Sequence, residues 1–267
     1  MSTTINHKNF IYLEGQAVVF GYVPKVACTN WKFALRRIQG FTNYQDFEIA
    51  HDRKRSGLRF LDPLDTNDAR ILESPEIKKI AFVRNPYSRV LSAYLNKVDR
   101  FNKSRDSLTA GDHWSDVYNN ILAFANDQYH HRSIGRVFQR ALKITRKRRN
   151  SSNVNFSTFL MWLKDPRTPQ HLAQNEHWAP QCQILHYPRF KMDFIGRFEN
   201  LSYDASVALN MMGAKFEFSR SNAAGHQTTN ATSSLDKYYG KKETFLVNDL
   251  FNSDFKAFGY DRMIVST

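Results

Sequence analysis

Two basic segments, each at the junction of an apolar run and a helical pattern, hold residues that could bind anions. In the first, Lys25 follows the β-branched apolar run at residues 17–23 and precedes apolar residues at helical spacing in residues 31–38. Pro24 fixes the turn between these elements. Lys25 is therefore predicted in a tight strand-to-helix loop beside the N–H groups of a helix N-terminus, which suits a phosphate or sulfate.

The second segment starts at Arg84, directly after the apolar run at residues 79–83. Asn85 can cap a helix that has proline at its first position, and Arg89 and Ser92 then share one polar face of that helix. An arginine at the carboxyl end of a strand, with a hydroxyl on the next helix, can grip a second phosphate. For each segment taken alone, an exposed basic residue at an ordinary strand–helix junction is an equally open interpretation.

The loop around Lys25 differs from the Walker A loop of nucleotide-binding proteins. It lacks the two spaced glycines and the Gly-Lys-Ser/Thr ending of that loop. An ATP or GTP site of the usual P-loop type is therefore disfavoured, although the geometry is related. Thr29 or Asn30 is predicted to cap the helix that follows the loop.

Two histidines are candidates for a general base. His51 lies in a stretch at residues 41–75 that has a charged centre and is predicted as a long loop or short helix over the sheet. His177 precedes Trp178, whose indole face could stack on a sugar ring. An unperturbed imidazole pKa near ~6.5 suits general-base work. A purely structural role is the alternative for either histidine.

The composition narrows the class of protein and its partners. The 267 residues are 42% hydrophobic, which is enough for the core of one large domain, predicted to span residues 1–267. The formal net charge of +13 favours a polyanionic partner, namely nucleic acid, an anionic glycan or a polyphosphorylated cofactor. The two cysteines argue against a disulfide framework, and neither they nor the nine histidines show metal-ligand spacing. No metal is therefore predicted.

Targeting signals are missing from the sequence pattern. The first residues contain no apolar signal region, and no run approaches the ~20 apolar residues of a membrane span. These patterns predict a cytoplasmic protein without a transmembrane segment.

The remaining patterns predict an α/β fold, in which a short parallel sheet is flanked by helices, with helical additions in the middle and at the C-terminus. Residues 214–233 lack any periodicity and are predicted as a loop. Residues 132–149 are predicted as a basic helix, which is either a solvated face or a track for an acidic polymer. No nucleic-acid-binding signature accompanies it. The further predicted elements are a strand at residues 192–199 and helices at residues 100–155, 156–163, 200–213 and 235–260.

Together, the two basic segments resemble those of one enzyme family. Residues 23–32, Val-Pro-Lys-Val-Ala-Cys-Thr-Asn-Trp-Lys, resemble the 5′-phosphosulfate loop of carbohydrate sulfotransferases, in the group that includes the HNK-1 and chondroitin 4-O-sulfotransferases. Residues 82–97 resemble the 3′-phosphate motif of the same family. Later pieces match in order, whereas the middle at residues 100–170 matches poorly. The later pieces are His177-Trp178, residues 193–199 and residues 254–260.

The resemblance implies a P-loop-like sulfotransferase fold and the co-substrate 3′-phosphoadenosine 5′-phosphosulfate (PAPS), with no metal. It implies that Lys25 contacts the bridging region of the phosphosulfate, and that Arg84 and Ser92 hold the 3′-phosphate. Two phosphate sites at the carboxyl edges of two strands agree with where open α/β sheets bind ligands. The resemblance also implies that the backbone N–H groups of Cys28, Thr29 and Asn30, with the Thr29 hydroxyl, cradle the 5′ end, and that Ala27 and Trp31 belong to the cofactor-binding residues.

The implied reaction is an in-line transfer of a sulfuryl group to a hydroxyl of a saccharide or glycolipid acceptor. Lys25 and the helix N-terminus would offset the charge that grows on the leaving oxygen. His51 lies between the two motifs, as a histidine does in similar members, and is the first candidate for the base. His177 is the second candidate. The positive net charge favours an acidic acceptor, although binding of PAPS accounts for part of that charge.

One departure from the family pattern bears on the substrate. Members of the secretory pathway carry a cysteine pair shortly after the His-Trp segment, together with an N-terminal membrane anchor. The corresponding positions here are Leu185 and Pro188. The departure suggests a soluble bacterial relative in a reducing compartment and puts a Golgi-type substrate in doubt.

Two other functions stay open from sequence. A P-loop-like kinase would require an acidic Mg²⁺ ligand beside Lys25, and the loop shows none. A non-catalytic polyanion-binding protein built on residues 132–149 would bind in a salt-sensitive way and would not respond to Lys25→Ala.

Overall fold

The computed structural model of the chain describes residues 7–104, 108–109, 111–134, 153–219 and 229–264, with the side chains of 128–134 excepted. Three predicted elements fall partly outside these ranges, and one of them is the helical region at residues 100–155. Of the basic stretch at residues 132–149, the ranges include only the backbone of the first three residues. Residues 220–228 of the predicted loop also lie outside them.

The described residues form one five-stranded sheet with strand order β3-β1-β2-β4-β5. Strand β2 pairs in parallel with β4, and β4 pairs in parallel with β5, whereas β1 runs antiparallel to both β2 and β3. The α/β class is thereby confirmed, whereas the predicted short parallel sheet is a mixed sheet in which only β2, β4 and β5 run parallel. The strands are β1 Phe10–Leu13, β2 Val18–Gly21, β3 Arg59–Leu61, β4 Lys78–Val83 and β5 Phe194–Arg197.

Helices make up most of the rest of the described chain. Each strand-to-helix junction that the sequence predicted is present, at β2 to α1 and at β4 to α4. The helices are α1 Cys28–Ile38, α2 Phe47–His51, α3 Thr66–Glu73, α4 Pro86–Lys97, α5 Asp99–Lys103, α6 His113–Ile134, α7 Phe156–Lys164, α8 Gln170–Ala173, α9 Gln181–Ile184, α10 Leu201–Met211, α11 Leu235–Tyr238, α12 Lys241–Leu250 and α13 Asn252–Phe258. None of those in the described part of the chain is long and apolar enough to cross a lipid bilayer.

The prediction for residues 41–75 was wrong in part. This stretch contains α2 and α3, and between them lies β3, an edge strand that pairs only with β1. The strand is three residues long, which is too short to show the alternation that identifies a strand in a sequence. Strand β1 was missed for a similar reason, because its four residues are a short apolar run without flanking turn signals.

Helical segments cover both faces of the sheet. Side chains two residues apart on a strand, or paired across neighbouring strands, point to the same face. Phe20 and Phe82 share one face, and the Trp31 ring of α1 lies 4.7 Å and 4.6 Å from their rings. Gly21 lies on the opposite face, where a Cβ would come within 2.7 Å of the Leu185 side chain just after α9. The predicted flanking by helices follows from these contacts.

The parallel pairing of β2 with β4 determines where the two basic segments meet. The register aligns Gly21, the last residue of β2, with Ala81, two residues before the end of β4. Both strands therefore end at the same edge of the sheet. The loop at residues 22–27 and the start of the segment at residue 84 leave the sheet side by side.

Candidate active site

The loop between β2 and α1 has an unusual backbone. Lys25 and Ala27 both adopt left-handed φ angles, of 72° and 54°, which cost energy in residues other than glycine. Ala27 is the N-cap of α1, and no side chain caps the helix. The prediction that Thr29 or Asn30 caps α1 was therefore wrong, because the helix already begins at Cys28. Left-handed turns of this kind direct successive N–H groups into a concavity that suits an anion.

Lys25 is partly buried in this loop. Burial lowers the pKa of its ammonium group to about 8, and the positive charges of Lys97, Arg84 and Arg89 act in the same direction. The Cys28 side chain opposes them. A cation held among other cations gains stability when an anion binds beside it. The surroundings of Lys25 therefore suit a residue that binds an anion.

Arg84 follows β4 directly and is only 5% exposed, so the interpretation as a surface arginine was wrong. Its Nη1 donates to the carbonyl oxygen of Lys25 at 3.1 Å, and its Nε donates to the Ser88 hydroxyl at 2.9 Å. Its Nη2 donates to the Thr232 hydroxyl at 3.2 Å. Burial lowers the pKa of Arg84 to about 10, and the carboxylate of Glu199 opposes this effect. Arg84 thus joins the two basic loops.

The helix that Arg84 precedes forms as predicted. The Asn85 side chain accepts a hydrogen bond from the N–H of Tyr87 at 3.0 Å, and Pro86 occupies the first position of α4. The backbone N–H of Asn85 donates to a carboxylate oxygen of Glu199 at 2.8 Å. On the same helix, the hydroxyl of Ser92 lies 2.9 Å from that of Thr229. Ser92 is therefore buried and does not face solvent.

Arg89 is a site residue whose role the sequence did not reveal. The polar helix face on which the sequence places it is buried, and the Arg89 side chain is 1% exposed. Its Nε donates to the carbonyl of Pro24 at 3.2 Å, and its Nη1 and Nη2 donate to the carbonyls of Ala179 and Glu176 at 2.7 Å and 2.9 Å. It ties the loop of Lys25 to the segment that carries His177. No local pattern could show this, because the acceptors are backbone carbonyls 65 or more residues away.

His51 lies directly against the first basic loop. It is the last residue of α2, a helix capped by the Asp46 carboxylate, which accepts from the N–H of Ile49 at 2.9 Å. The Nε2 atom of His51 lies 3.0 Å from the hydroxyl of Thr29. The structure therefore brings together two residues that the resemblance had assigned to the same reaction centre.

His177 is held in place by Asn175. Its Nδ1 lies 2.9 Å from the Oδ1 atom of Asn175, which also accepts from the backbone N–H of His177 at 3.1 Å. Because an amide oxygen only accepts hydrogen bonds, Nδ1 carries the proton and Nε2 keeps its lone pair. Burial, together with the charges of Lys97 and Lys25, holds the pKa of His177 well below its usual value. The imidazole is therefore neutral at physiological pH.

Two further lysines border the site. Lys97 on α4 lies 4.1 Å above the Trp114 ring, and burial lowers its pKa to about 8. Lys32 on α1 is 5% exposed and lies over the Tyr22 ring at 4.7 Å, and burial lowers its pKa as well. The sequence contained one indication that Lys97 could belong to the site, namely its position on the same predicted helix as Ser92.

The remaining residues assigned to the 5′ cradle divide into two groups. Ala27, Cys28 and Thr29 lie at the start of α1, in the loop itself. The side chain of Asn30 turns away and donates to the carbonyl of Ser219 at 2.9 Å. The backbone N–H of Asn30 nevertheless belongs to the first turn of α1. The Trp31 ring packs in the core, and the backbone N–H of Trp31 donates to the carbonyl of Ala27 at 3.0 Å.

Acidic groups that could hold a metal are not assembled here. In the ranges that the structure describes, no three His, Cys, Asp or Glu side chains are positioned to hold a metal ion. The carboxylate of Glu176 accepts from the buried amide of Asn9 at 2.9 Å. The arrangement as described is a set of cations around a helix N-terminus, flanked by two histidines.

Comparison with known proteins agrees with this arrangement. The chain is 25% identical to rat carbohydrate sulfotransferase 11, over 95% of the chain and 67% of that relative. It is 31% identical to mouse carbohydrate sulfotransferase 14, over 73% of the chain and 44% of that relative. It is 25% identical to human carbohydrate sulfotransferase 9, over 94% of the chain and 53% of that relative. The chain thus spans between about half and two thirds of the length of these relatives.

No solved structure matches the chain significantly. A sequence model of the sulfotransferase family matches residues 8–261, which is nearly the whole chain. This match agrees with the two basic loops of the chain and with the buried cations that they bring together. The chain therefore belongs to the sulfotransferase family.

Proposed function

We propose that this protein transfers a sulfuryl group from PAPS to a hydroxyl group of a carbohydrate acceptor. The observation that carries the proposal is the pair formed by the partly buried Lys25 and the buried Arg84, where two parallel strands end and the Arg84 guanidinium donates to the backbone carbonyl of Lys25. The described partners of the Arg84 guanidinium are neutral oxygens, which leave its charge without a hydrogen-bonded anion. The carbohydrate acceptor rests on the names of the relatives.

The residues present fit the charge of PAPS. The left-handed turn at Lys25 and Ala27 and the first turn of α1 suit the 5′-phosphosulfate, because their N–H groups and the Lys25 ammonium all favour negative charge. Arg84 and Ser92 suit the 3′-phosphate, because guanidinium and hydroxyl groups donate to phosphate oxygens. When bound, PAPS supplies the sulfuryl group and leaves as the 3′,5′-bisphosphate.

The base in this proposal is His177. Asn175 fixes the proton on Nδ1, so that Nε2 can accept a proton from the acceptor hydroxyl. The charge of Lys25 helps to lower the pKa of His177, which supports a position of the imidazole close to the donor loop. His51, the first candidate from sequence, contacts the Thr29 hydroxyl and instead orients that hydroxyl toward the donor. Lys25 and the N-terminus of α1 offset the charge that develops on the leaving oxygen.

The fold supports the same assignment. Parallel strands β2 and β4 each lead into a helix and carry a phosphate-binding loop at their carboxyl ends, as in P-loop-like folds. We infer that the chain has the P-loop-like sulfotransferase fold and that residues 1–267 form one domain. A cytoplasmic location stays a prediction from sequence.

The direct test is transfer of labelled sulfate from PAPS to a panel of neutral and acidic polysaccharides, oligosaccharides and glycolipids. We expect a labelled saccharide with the wild type and none with Lys25→Ala. If the protein binds PAPS but labels no member of the panel, the proposal that its acceptor is a carbohydrate would be contradicted. Transfer that persists in Lys25→Ala would remove the assigned role of Lys25.

A further inference from the structure

Two threonines from the C-terminal part of the chain reach both residues assigned to the 3′-phosphate. The hydroxyl of Thr232 accepts from Arg84 Nη2 at 3.2 Å, and the hydroxyl of Thr229 lies 2.9 Å from that of Ser92. These contacts join residues 137 and 148 positions apart in the chain. Between them, Ala231 is buried and anchors the segment to the core.

Counting donors shows what this group of side chains can still bind. A guanidinium has five N–H donors, and the contacts of the described residues use three of those on Arg84, one each at Nε, Nη1 and Nη2. One N–H therefore remains on each terminal nitrogen. Guanidinium groups bind phosphate through pairs of such N–H donors.

The hydroxyls add to this set. Because Thr232 accepts from Arg84, its own O–H proton points to another acceptor. In the pair of Ser92 and Thr229, one hydroxyl donates to the other, and the second O–H remains available. Four donors therefore remain available, two on the Arg84 guanidinium and two on hydroxyls, and an oxyanion with several acceptor oxygens is a ligand that could satisfy them.

We propose that Thr229 and Thr232 bind the 3′-phosphate of the nucleotide together with Arg84 and Ser92. The two threonines thereby make the site selective for nucleotides phosphorylated on the 3′ oxygen. The inference rests on the proposed function, because it takes the anion at Arg84 to be the 3′-phosphate of PAPS or of its bisphosphate product. It adds two ligands from a part of the chain that neither basic motif contains.

The test compares two probes, adenosine 3′,5′-bisphosphate and adenosine 5′-monophosphate, which differ only in the 3′-phosphate. Binding of each is measured by calorimetry for the wild type, Thr229→Val and Thr232→Val, since valine keeps the shape of threonine without the hydroxyl. We expect each variant to bind the bisphosphate roughly tenfold more weakly, as for a lost hydrogen bond to a charged group. Binding of the monophosphate should stay within about twofold of the wild type, because that probe makes no contact with the hydroxyls.

Ser233→Ala is the matched control. Ser233 lies in the same turn, but its hydroxyl donates to the carbonyl of Asn230 at 3.0 Å and not to the site. We expect this variant to bind both probes as the wild type does. Thermal melting of each variant, recorded without a nucleotide, verifies that the fold is kept.

The outcomes separate the inference from the proposed function. Unchanged or tighter bisphosphate binding by the threonine variants would overturn the inference alone, since the threonine hydroxyls would then not contribute to binding of the 3′-phosphate. An equal loss for both probes would also overturn it, because the threonines would then act on the loop and not on the 3′-phosphate. A wild type that binds the bisphosphate no better than the monophosphate would overturn the proposed function as well.

Discussion

Arg84 Nη1 donates a hydrogen bond to the carbonyl oxygen of Lys25, 59 residues away in the chain, at 3.1 Å. This bond makes the two basic loops parts of one site, because the arginine assigned to one phosphate holds the backbone of the lysine assigned to the other. Arg89 adds a second bond to the same loop, from Nε to the carbonyl of Pro24. Side chains of the second basic segment therefore hold the backbone of the first basic loop directly.

Arg89 is expected to be a stability determinant of this region. Arg89→Met removes three hydrogen bonds and leaves the carbonyls of Pro24, Glu176 and Ala179 without their donor. We expect the free energy of unfolding to fall by about 3 kcal/mol, measured by urea denaturation. Arg55→Met is the control, because that side chain is exposed and pairs only with nearby Asp52, so its loss should change stability by less than about 0.5 kcal/mol. Equal effects of the two substitutions would contradict the role of Arg89.

The pKa of Lys25 predicts how nucleotide affinity depends on pH. In the free protein this pKa is about 8, and a bound anion raises it by stabilising the ammonium form. Binding therefore takes up a proton above pH 8, and the affinity for adenosine 3′,5′-bisphosphate should fall as the pH rises from 8 to 10. The phosphates lose their last protons near pH ~6 and do not contribute in this range.

The control for this pH dependence is Lys25→Arg, since arginine keeps its charge throughout the range. Lys97 has a similar pKa of about 8 and contributes to the slope of the wild type. We expect the decline in affinity to be shallower in Lys25→Arg than in the wild type. Parallel pH profiles of the two proteins, measured by calorimetry, would show that Lys25 does not face the bound anion.

The two histidines are expected to differ in what they change. His177→Gln should lower kcat by two orders of magnitude or more, on the order expected for a lost general base, and change bisphosphate affinity little. His51→Gln should mainly weaken bisphosphate binding, because His51 contacts the Thr29 hydroxyl in the donor loop. Steady-state kinetics and calorimetry on the same samples measure both effects. The reverse pattern would restore His51 as the base.

The pH profile adds a second criterion for His177. Its pKa lies well below the usual value, mainly because of burial, so the imidazole stays neutral when the pH is lowered to 6.5. We expect kcat/KM for PAPS, which reports the free enzyme, to show no decline as the pH is lowered from 8 to 6.5. A decline centred near pH 6.5 would indicate a base with an unperturbed pKa and would argue against His177.

The parts of the site that the sequence predicted are those encoded by local signals. The apolar run before Lys25 and the Asn-Pro pair after Arg84 each mark a strand end and a helix start within a few residues. The cap of α1 was mispredicted, because Ala27 adopts a left-handed conformation that its residue type does not suggest. Sequence patterns describe such positions poorly, since the surrounding fold imposes the strain.

The parts that could not be predicted depend on contacts between distant segments. Strand β3 exists as an edge strand because β1 offers it a partner, and Arg89 is buried because three distant carbonyls accept from it. The threonines at 229 and 232 lie in a stretch without periodicity, which indicated only a loop. Their place beside Arg84 and Ser92 follows from the tertiary fold.

The most direct test of the central claim is thermal stabilisation by adenosine 3′,5′-bisphosphate, compared with ADP and with ATP plus Mg²⁺, in the wild type and in Arg84→Ala. At about 100 times the Kd, a ligand adds roughly 2.7 kcal/mol to the free energy of unfolding. The account predicts a selective rise in melting temperature with the bisphosphate, which Arg84→Ala loses. A larger rise with ATP and Mg²⁺, or a bisphosphate effect that Arg84→Ala retains, would contradict it.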